Sequence, residues 1–123
     1  MRAWGHLVWA VPGGRIPEKS TGEEPEGTSY DMVCLLNTGD SNASVVIWAF
    51  YEHREPIGPY IVEVPARRVR HVRLNDLIDP EAMPLGTEYG LVIQSDVPVV
   101  VQFWRQDTER GKAIATTTAV PLE

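Results

Sequence analysis

Val64-Pro65-Ala66-Arg67-Arg68-Val69-Arg70-His71-Val72-Arg73-Leu74-Asn75-Asp76-Leu77 carries four of the chain's nine arginines and one of its three histidines, inside what otherwise reads as a β-strand. A strand turns successive side chains to opposite faces. One face would show Arg68, Arg70, Val72 and Leu74, the other Arg67, Val69, His71 and Arg73. Neither is a clean core face or a clean solvent face, so the segment reads as a sheet edge, a subunit boundary or the wall of a polar pocket. Asn75-Asp76-Leu77 ends it, because Asn and Asp bond to their own backbone and favour turns.

Working outward, the same alternation marks strands at residues 7–11, 30–37, 43–51, 60–64, 67–74, 89–95, 99–105 and 113–120. Residues 12–29 lack periodicity and hold three prolines and four glycines, so they read as a long loop of the kind that covers a site. Thr38-Gly39-Asp40-Ser41-Asn42 is a turn signal that predicts a hairpin between residues 30–37 and 43–51. Asp96-Val97-Pro98 predicts a second hairpin. Pro65 is expected at a bulge or an edge, and a helical turn is expected after Asp76. Seven or eight short strands with regular turns predict an all-β, antiparallel β-sandwich, jelly-roll-like, forming a single domain over residues 1–121. Leu122-Glu123 reads as a cloning scar.

The 123 residues suffice for one domain with a core. A net charge of −6 argues against general nucleic-acid binding, with the arginine cluster as the only reservation. The lone Cys34 excludes an internal disulfide and, set in an apolar run, reads as a small buried hydrophobe. No run approaches the roughly 20 apolar residues of a membrane-spanning helix, and no secretory signal is recognisable. A cytoplasmic location is therefore expected. Three strands are apolar on both faces: Val46 and Trp48 back onto Val45 and Ile47, Cys34 and Leu36 onto Val33 and Leu35, Val100 onto Val99 and Val101. A sandwich of this size cannot bury both faces, which predicts a closed homo-oligomer.

The chain shows no nucleophile elbow, phosphate loop or zinc-ligand pair, and His6, His53 and His71 lie far apart in sequence. No metal, cofactor or catalytic residue is expected. Two polar clusters remain: His71, Arg73, Asn75 and Asp76, and Gln94, Ser95, Gln102, Trp104, Arg105 and Asp107. Amides and carboxylates fork onto adjacent hydroxyls, guanidinium grips anions, and Trp stacks on a sugar's C–H face, so the set suits a small polar ligand. The same residues also fit an interfacial salt-bridge network pairing Arg73 or Arg105 with Asp76 or Asp107. An enzyme using His71 with Asp76 or Asp107 is a further alternative.

Glu55-Pro56-Ile57-Gly58-Pro59-Tyr60, Val64-Pro65-Ala66-Arg67-Arg68, His71-Val72-Arg73-Leu74-Asn75-Asp76-Leu77 and the run from Val92 through Gln94-Ser95-Asp96-Val97-Pro98 to Gln102 resemble the sensory rhodopsin transducer family. The likeness extends over residues 9–119 and includes Ile16-Pro17, Cys34-x-Leu36-Asn37 and Arg105-x-Asp107. The resemblance implies a β-sandwich assembling as a homotetramer. It also implies a non-enzymatic signalling role, either docking on a membrane photoreceptor or binding a sugar-like small molecule. The two polar clusters are the ligand-binding positions it implies, and Arg67, Arg68, Arg70 and Trp48 are expected at a subunit interface. The chain departs from the family pattern at Tyr30-Asp31 and Phe103-Trp104, which makes the site more aromatic.

Overall fold

The alternation read along residues 30–37 and 43–51 is the one the backbone uses. In the computed structural model, which describes residues 1–23 and 27–123, the strands are β1 (His6–Arg15), β2 (Tyr30–Asn37), β3 (Ala43–Tyr51), β4 (Ile57–Val64), β5 (Arg68–Arg73), β6 (Glu88–Asp107), β7 (Ala113–Thr118) and β8 (Val120–Pro121). A short 3-10 turn, Leu74–Asp76, follows β5, so the helical turn precedes Leu77 instead of following Asp76. The protein is an all-β antiparallel domain, as the residue pattern predicts. Part of the expected covering loop, residues 24–26, lies outside the described residues.

The pairing differs from the sequence reading in two places. β2 and β3 form no hairpin: β2 lies between β5 and β6, while β3 lies between β4 and β6. The turn at residues 38–42 carries the chain from one sheet to the other. Asn37, fully buried, holds this corner by donating from Nδ2 to the carbonyls of Ser41 (2.8 Å) and Val64 (3.1 Å). That bond also ties in the start of the β4–β5 corner, where Pro65 sits in a turn and not in a bulged strand.

The second difference is larger. Residues 88–107 form one 20-residue strand with no hairpin at Asp96-Val97-Pro98. The first half of β6 pairs with β1 and β3, and the second half with β2 and β7. One sheet therefore runs β4-β3-β6-β1-β8, the other β5-β2-β6-β7, and β6 is an interior strand of both. Asp96, Val97 and Pro98 have no partner in any of these ladders, so the proline's missing N–H falls where no ladder bond is required. Side chains bridge the gap. Asp96 Oδ1 accepts the Ser44 N–H (2.8 Å), and the buried Trp9 indole donates to the Val99 carbonyl (3.0 Å). Gly5, at φ +115°, lies so close to this point that a Cβ would meet the Val99 carbonyl.

The parity of β6 survives the switch: Tyr89, Leu91, Ile93, Val99, Val101 and Phe103 all point inward. They meet Val33 and Leu35 of β2, Val45 and Ile47 of β3, and Tyr60, Val62 and Val64 of β4 in one core. β1 is longer than expected and continues through Gly13-Gly14 with a bulge. Gly14 is needed there because the Tyr89 ring occupies the space its side chain would fill.

Candidate functional site

Two outward faces result. On the first sheet, the cross-strand rows read Ile61–Val46–Gln94–Val8 and Trp48–Val92–Ala10–Val120. This face is almost wholly apolar, and Ile61 is 73% exposed. On the second sheet, one row reads Arg73–Met32–Trp104–Thr116 and the next His71–Cys34–Gln102–Thr118. Strand spacing near 4.8 Å and a two-residue step near 7 Å place His71, Arg73, Gln102 and Trp104 at the corners of a rectangle about 10 by 7 Å. Met32 and Cys34 form its floor.

The chemistry of the rectangle is mixed. The Arg73 guanidinium lies 4.8 Å from the centre of the Tyr30 ring and 4.0 Å from the Asp76 carboxylate. The Trp104 indole N–H is buried and has no hydrogen-bond acceptor among the described residues, so a polar group arriving there would relieve an unmade bond. Burial raises the Cys34 thiol above its usual pKa, which makes it a poor nucleophile. His71 has no carboxylate partner among the described residues.

The other expected ligand residues are placed elsewhere. Gln94 sits on the apolar face of the first sheet, and about 26 Å of extended strand separates it from Gln102. Ser95 points inward and its Oγ accepts the Val97 N–H. Asn75 ties the loop to β2, donating to the Ser29 carbonyl and accepting the Asp31 N–H. Asp107 accepts the Glu109 N–H in the turn before β7. Arg105 faces inward, and its partner is Asp31, not Asp76 or Asp107. Its Nε and Nη2 reach the two carboxylate oxygens at 2.7 and 3.1 Å.

Asp31 is the residue the sequence reading missed. It is fully buried and also accepts the Tyr89 hydroxyl (2.6 Å) and the Arg15 N–H (3.2 Å). Burial first, then the adjacent carboxylate, hold the Tyr89 hydroxyl far above the ordinary tyrosine range, while the bond to Asp31 raises Arg105. This has a pH consequence. A tyrosine near pKa 10 in the unfolded chain ionises first there, so its stabilising share is complete below pH 10 and declines above it. The contribution of this residue should be constant below about pH 10 and fall above it by up to ~1.4 kcal/mol per unit. Tyr51 and Tyr60, the latter raised to about 12, add the same sense. Denaturant titrations of wild type and Tyr89→Phe across pH 8 to 11 test it. The variant should lose part of the slope, and equal slopes would refute the assignment.

Sequence reasoning also passed over the cavity of about 360 Å³ between Tyr51, Glu52, His53, Arg54 and Gly86, Thr87, Glu88. There Arg54 is engaged by Glu81 at 2.7 Å and by the Tyr51 ring. Among the described residues, no three His, Cys, Asp or Glu side chains gather as a metal site. No helix there is long and apolar enough to cross a membrane.

The result is a small β-domain with one apolar sheet face and one face that carries His71, Arg73, Gln102 and Trp104. The chain belongs to the Anabaena sensory rhodopsin transducer family, whose model matches residues 4–121. Among solved structures it is similar to the Anabaena sensory rhodopsin transducer itself, at 48% identity over 83% of this chain and 89% of that one, with a TM-score of 0.76. It is also similar to the Thermotoga maritima 1070 protein, at 30% identity over 97% of each chain, with a TM-score of 0.85. No curated protein matches it significantly.

Proposed function

We propose that the protein is a cytoplasmic, non-enzymatic sensory transducer that binds a small polar, sugar-like ligand on the outer face of the second sheet. The observation that carries this reading is the rectangle of His71, Arg73, Gln102 and Trp104, with a buried indole N–H that lacks an acceptor among the described residues. A ring with adjacent hydroxyls would stack on Trp104 and accept its N–H. Gln102 and Arg73 would bind the hydroxyls or an acidic substituent. The pair of His71 and a raised Cys34 thiol supports binding over nucleophilic chemistry. The alternative, direct docking on a membrane photoreceptor, is favoured by the 48% identical relative named as a rhodopsin transducer.

Assembly as a homotetramer accompanies this reading. The apolar face of the first sheet supports it, since Trp48, Val92 and Ile61 would otherwise stay in water. Of the residues expected at an interface, Trp48 belongs to this face. Arg67 lies in the turn between β4 and β5, and Arg68 and Arg70 in the first half of β5.

Thermal-shift measurements with monosaccharides, sugar acids and sugar phosphates at millimolar concentration test the ligand. One class should stabilise the protein by several tenths of a kcal/mol to about 3 kcal/mol. Gln102→Ala and Trp104→Phe should abolish the shift, and no stabilisation by any class would remove the reading.

A further inference from the structure

The arginines that open the β4–β5 corner have no place in the ligand face, yet they are not scattered. The chain's first residues are pinned to the turn between β2 and β3: Thr38 Oγ1 donates to the Arg2 carbonyl and accepts the Trp4 N–H, both at 2.8 Å. That turn is pinned to the β4–β5 corner by Arg67 N–H to the Gly39 carbonyl (3.0 Å) and Ala66 N–H to Asn42 Oδ1 (2.9 Å). Arg2, Arg67, Arg68 and Arg70 are thereby gathered at one end of the sandwich. Of the acids nearby, Asp40 is paired with Arg67 at 2.9 Å, and Glu63 receives the Asn42 amide. Among the described residues, the exposed Arg68 and Arg70 guanidiniums donate to the carbonyls of Arg67 and Glu63 and meet no carboxylate. In a chain of net charge −6, this end is locally basic.

Apolar side chains stand among these charges. Trp4 is 54% exposed, with the Arg2 guanidinium 4.3 Å from its ring centre. Val69 and Leu36, neighbours across the β2–β5 ladder, are also exposed at this end, on the strand face opposite to Arg68 and Arg70. An exposed Trp stacked with an arginine, at an end of the molecule that gathers further arginines, matches the boundary between lipid headgroups and acyl chains. There indole rings settle at headgroup depth and basic groups meet anionic phosphates. A nucleic-acid surface would instead require a basic field over the molecule and several stacking aromatics, and the net charge opposes that.

We infer that this corner is a weak, reversible docking surface for an anionic lipid bilayer. Trp4 inserts shallowly, and Arg2, Arg68 and Arg70 contact lipid phosphates. The inference is independent of the ligand on the second sheet. Bound as proposed, the transducer would search for a membrane partner in two dimensions.

Co-sedimentation of the full chain with vesicles is the test. One set is phosphatidylcholine alone; the other contains about one third phosphatidylglycerol. The expected result is binding to the anionic vesicles only, lost between about 0.05 and 0.5 M salt. The double variant Arg68→Glu/Arg70→Glu should weaken it at least tenfold, roughly as expected for reversing two of the contacts. Trp4→Phe, with unchanged thermal stability, should remove a vesicle-induced blue shift of the fluorescence. Three results would each overturn the inference: no binding to anionic vesicles, equal binding to both sets, or equal binding by wild type and the charge-reversed variant. Salt-sensitive binding to duplex DNA without binding to vesicles would also overturn it. A protein that binds vesicles but shows no sugar-induced stabilisation would keep this surface and lose the ligand reading.

Discussion

Replacing Asp31 with alanine is expected to cost about 3–5 kcal/mol of folding stability, the range for a buried ion pair stripped of one partner. The carboxylate has no exposure and receives four donors: two from Arg105, one from Tyr89 and one from the Arg15 backbone. These come from β1 and from both halves of β6, so its loss loosens the joint between the two sheets. It leaves the Tyr89 hydroxyl and a half-buried guanidinium without their acceptor. Thermal unfolding should shift down by more than about 10 °C in a domain of this size. Asp31→Asn, which keeps shape and two acceptor lone pairs, should fall between. In a double-mutant cycle with Arg105→Leu, the pair should cost clearly less than the two singles combined, because each single change strands the other partner. A loss below about 1 kcal/mol for Asp31→Ala would show that the cluster is idle.

The second large effect concerns length, not chemistry. Deleting Val97 should prevent folding altogether. β6 keeps one parity from Tyr89 to Phe103, and both of its halves are fixed by ladders on either side. Removing one residue between the halves inverts one of them. Val99, Val101 and Phe103 would turn to solvent, while Gln102 and Trp104 would turn to the core. Each of the three apolar residues loses about 1.5–3 kcal/mol of burial, and together they approach the whole stability of about 5–15 kcal/mol. Circular dichroism and denaturant titration should show no cooperative transition, whereas a glycine inserted after the exposed Arg110, in the turn before β7, should be tolerated. A cooperative transition of near-native midpoint in the Val97 deletion would mean that residues 96–98 act as a slack linker.

Much of this architecture was legible as alternation. Residues 30–37 and 43–51 read as strands to the residue, because hydrophobic period is a local property. Pairing is not local. Thr38-Gly39-Asp40-Ser41-Asn42 has every mark of a hairpin turn, yet it serves a crossing between sheets, a choice made by Asn37 reaching the Val64 carbonyl. Asp96 and Pro98 read as a break for sound reasons. Asp96 does leave the ladder to accept from Ser44, and Pro98 does lack a donor. The chain continues extended because both neighbouring sheets need the next residues. The same cause hid which of the expected ligand residues share a sheet face. His71, Arg73, Gln102 and Trp104 share a face through registers with β2 that no single strand reveals. Asp31 carried no signal of its buried role in the sequence, since its partners Arg105 and Tyr89 lie more than fifty positions away.

A strand held in common has a mechanical meaning. Where two sheets are separate, they can slide past one another or open as independent foldons with their own exchange rates. Here the same backbone is an inner member of each, so relative sliding would have to bend β6 at residues 96–98. The sandwich therefore breathes as one cooperative unit. β6 is thus a stiff beam shared by the polar and the apolar face, and the triplet at residues 96–98, outside the ladders, is the place where that beam can flex.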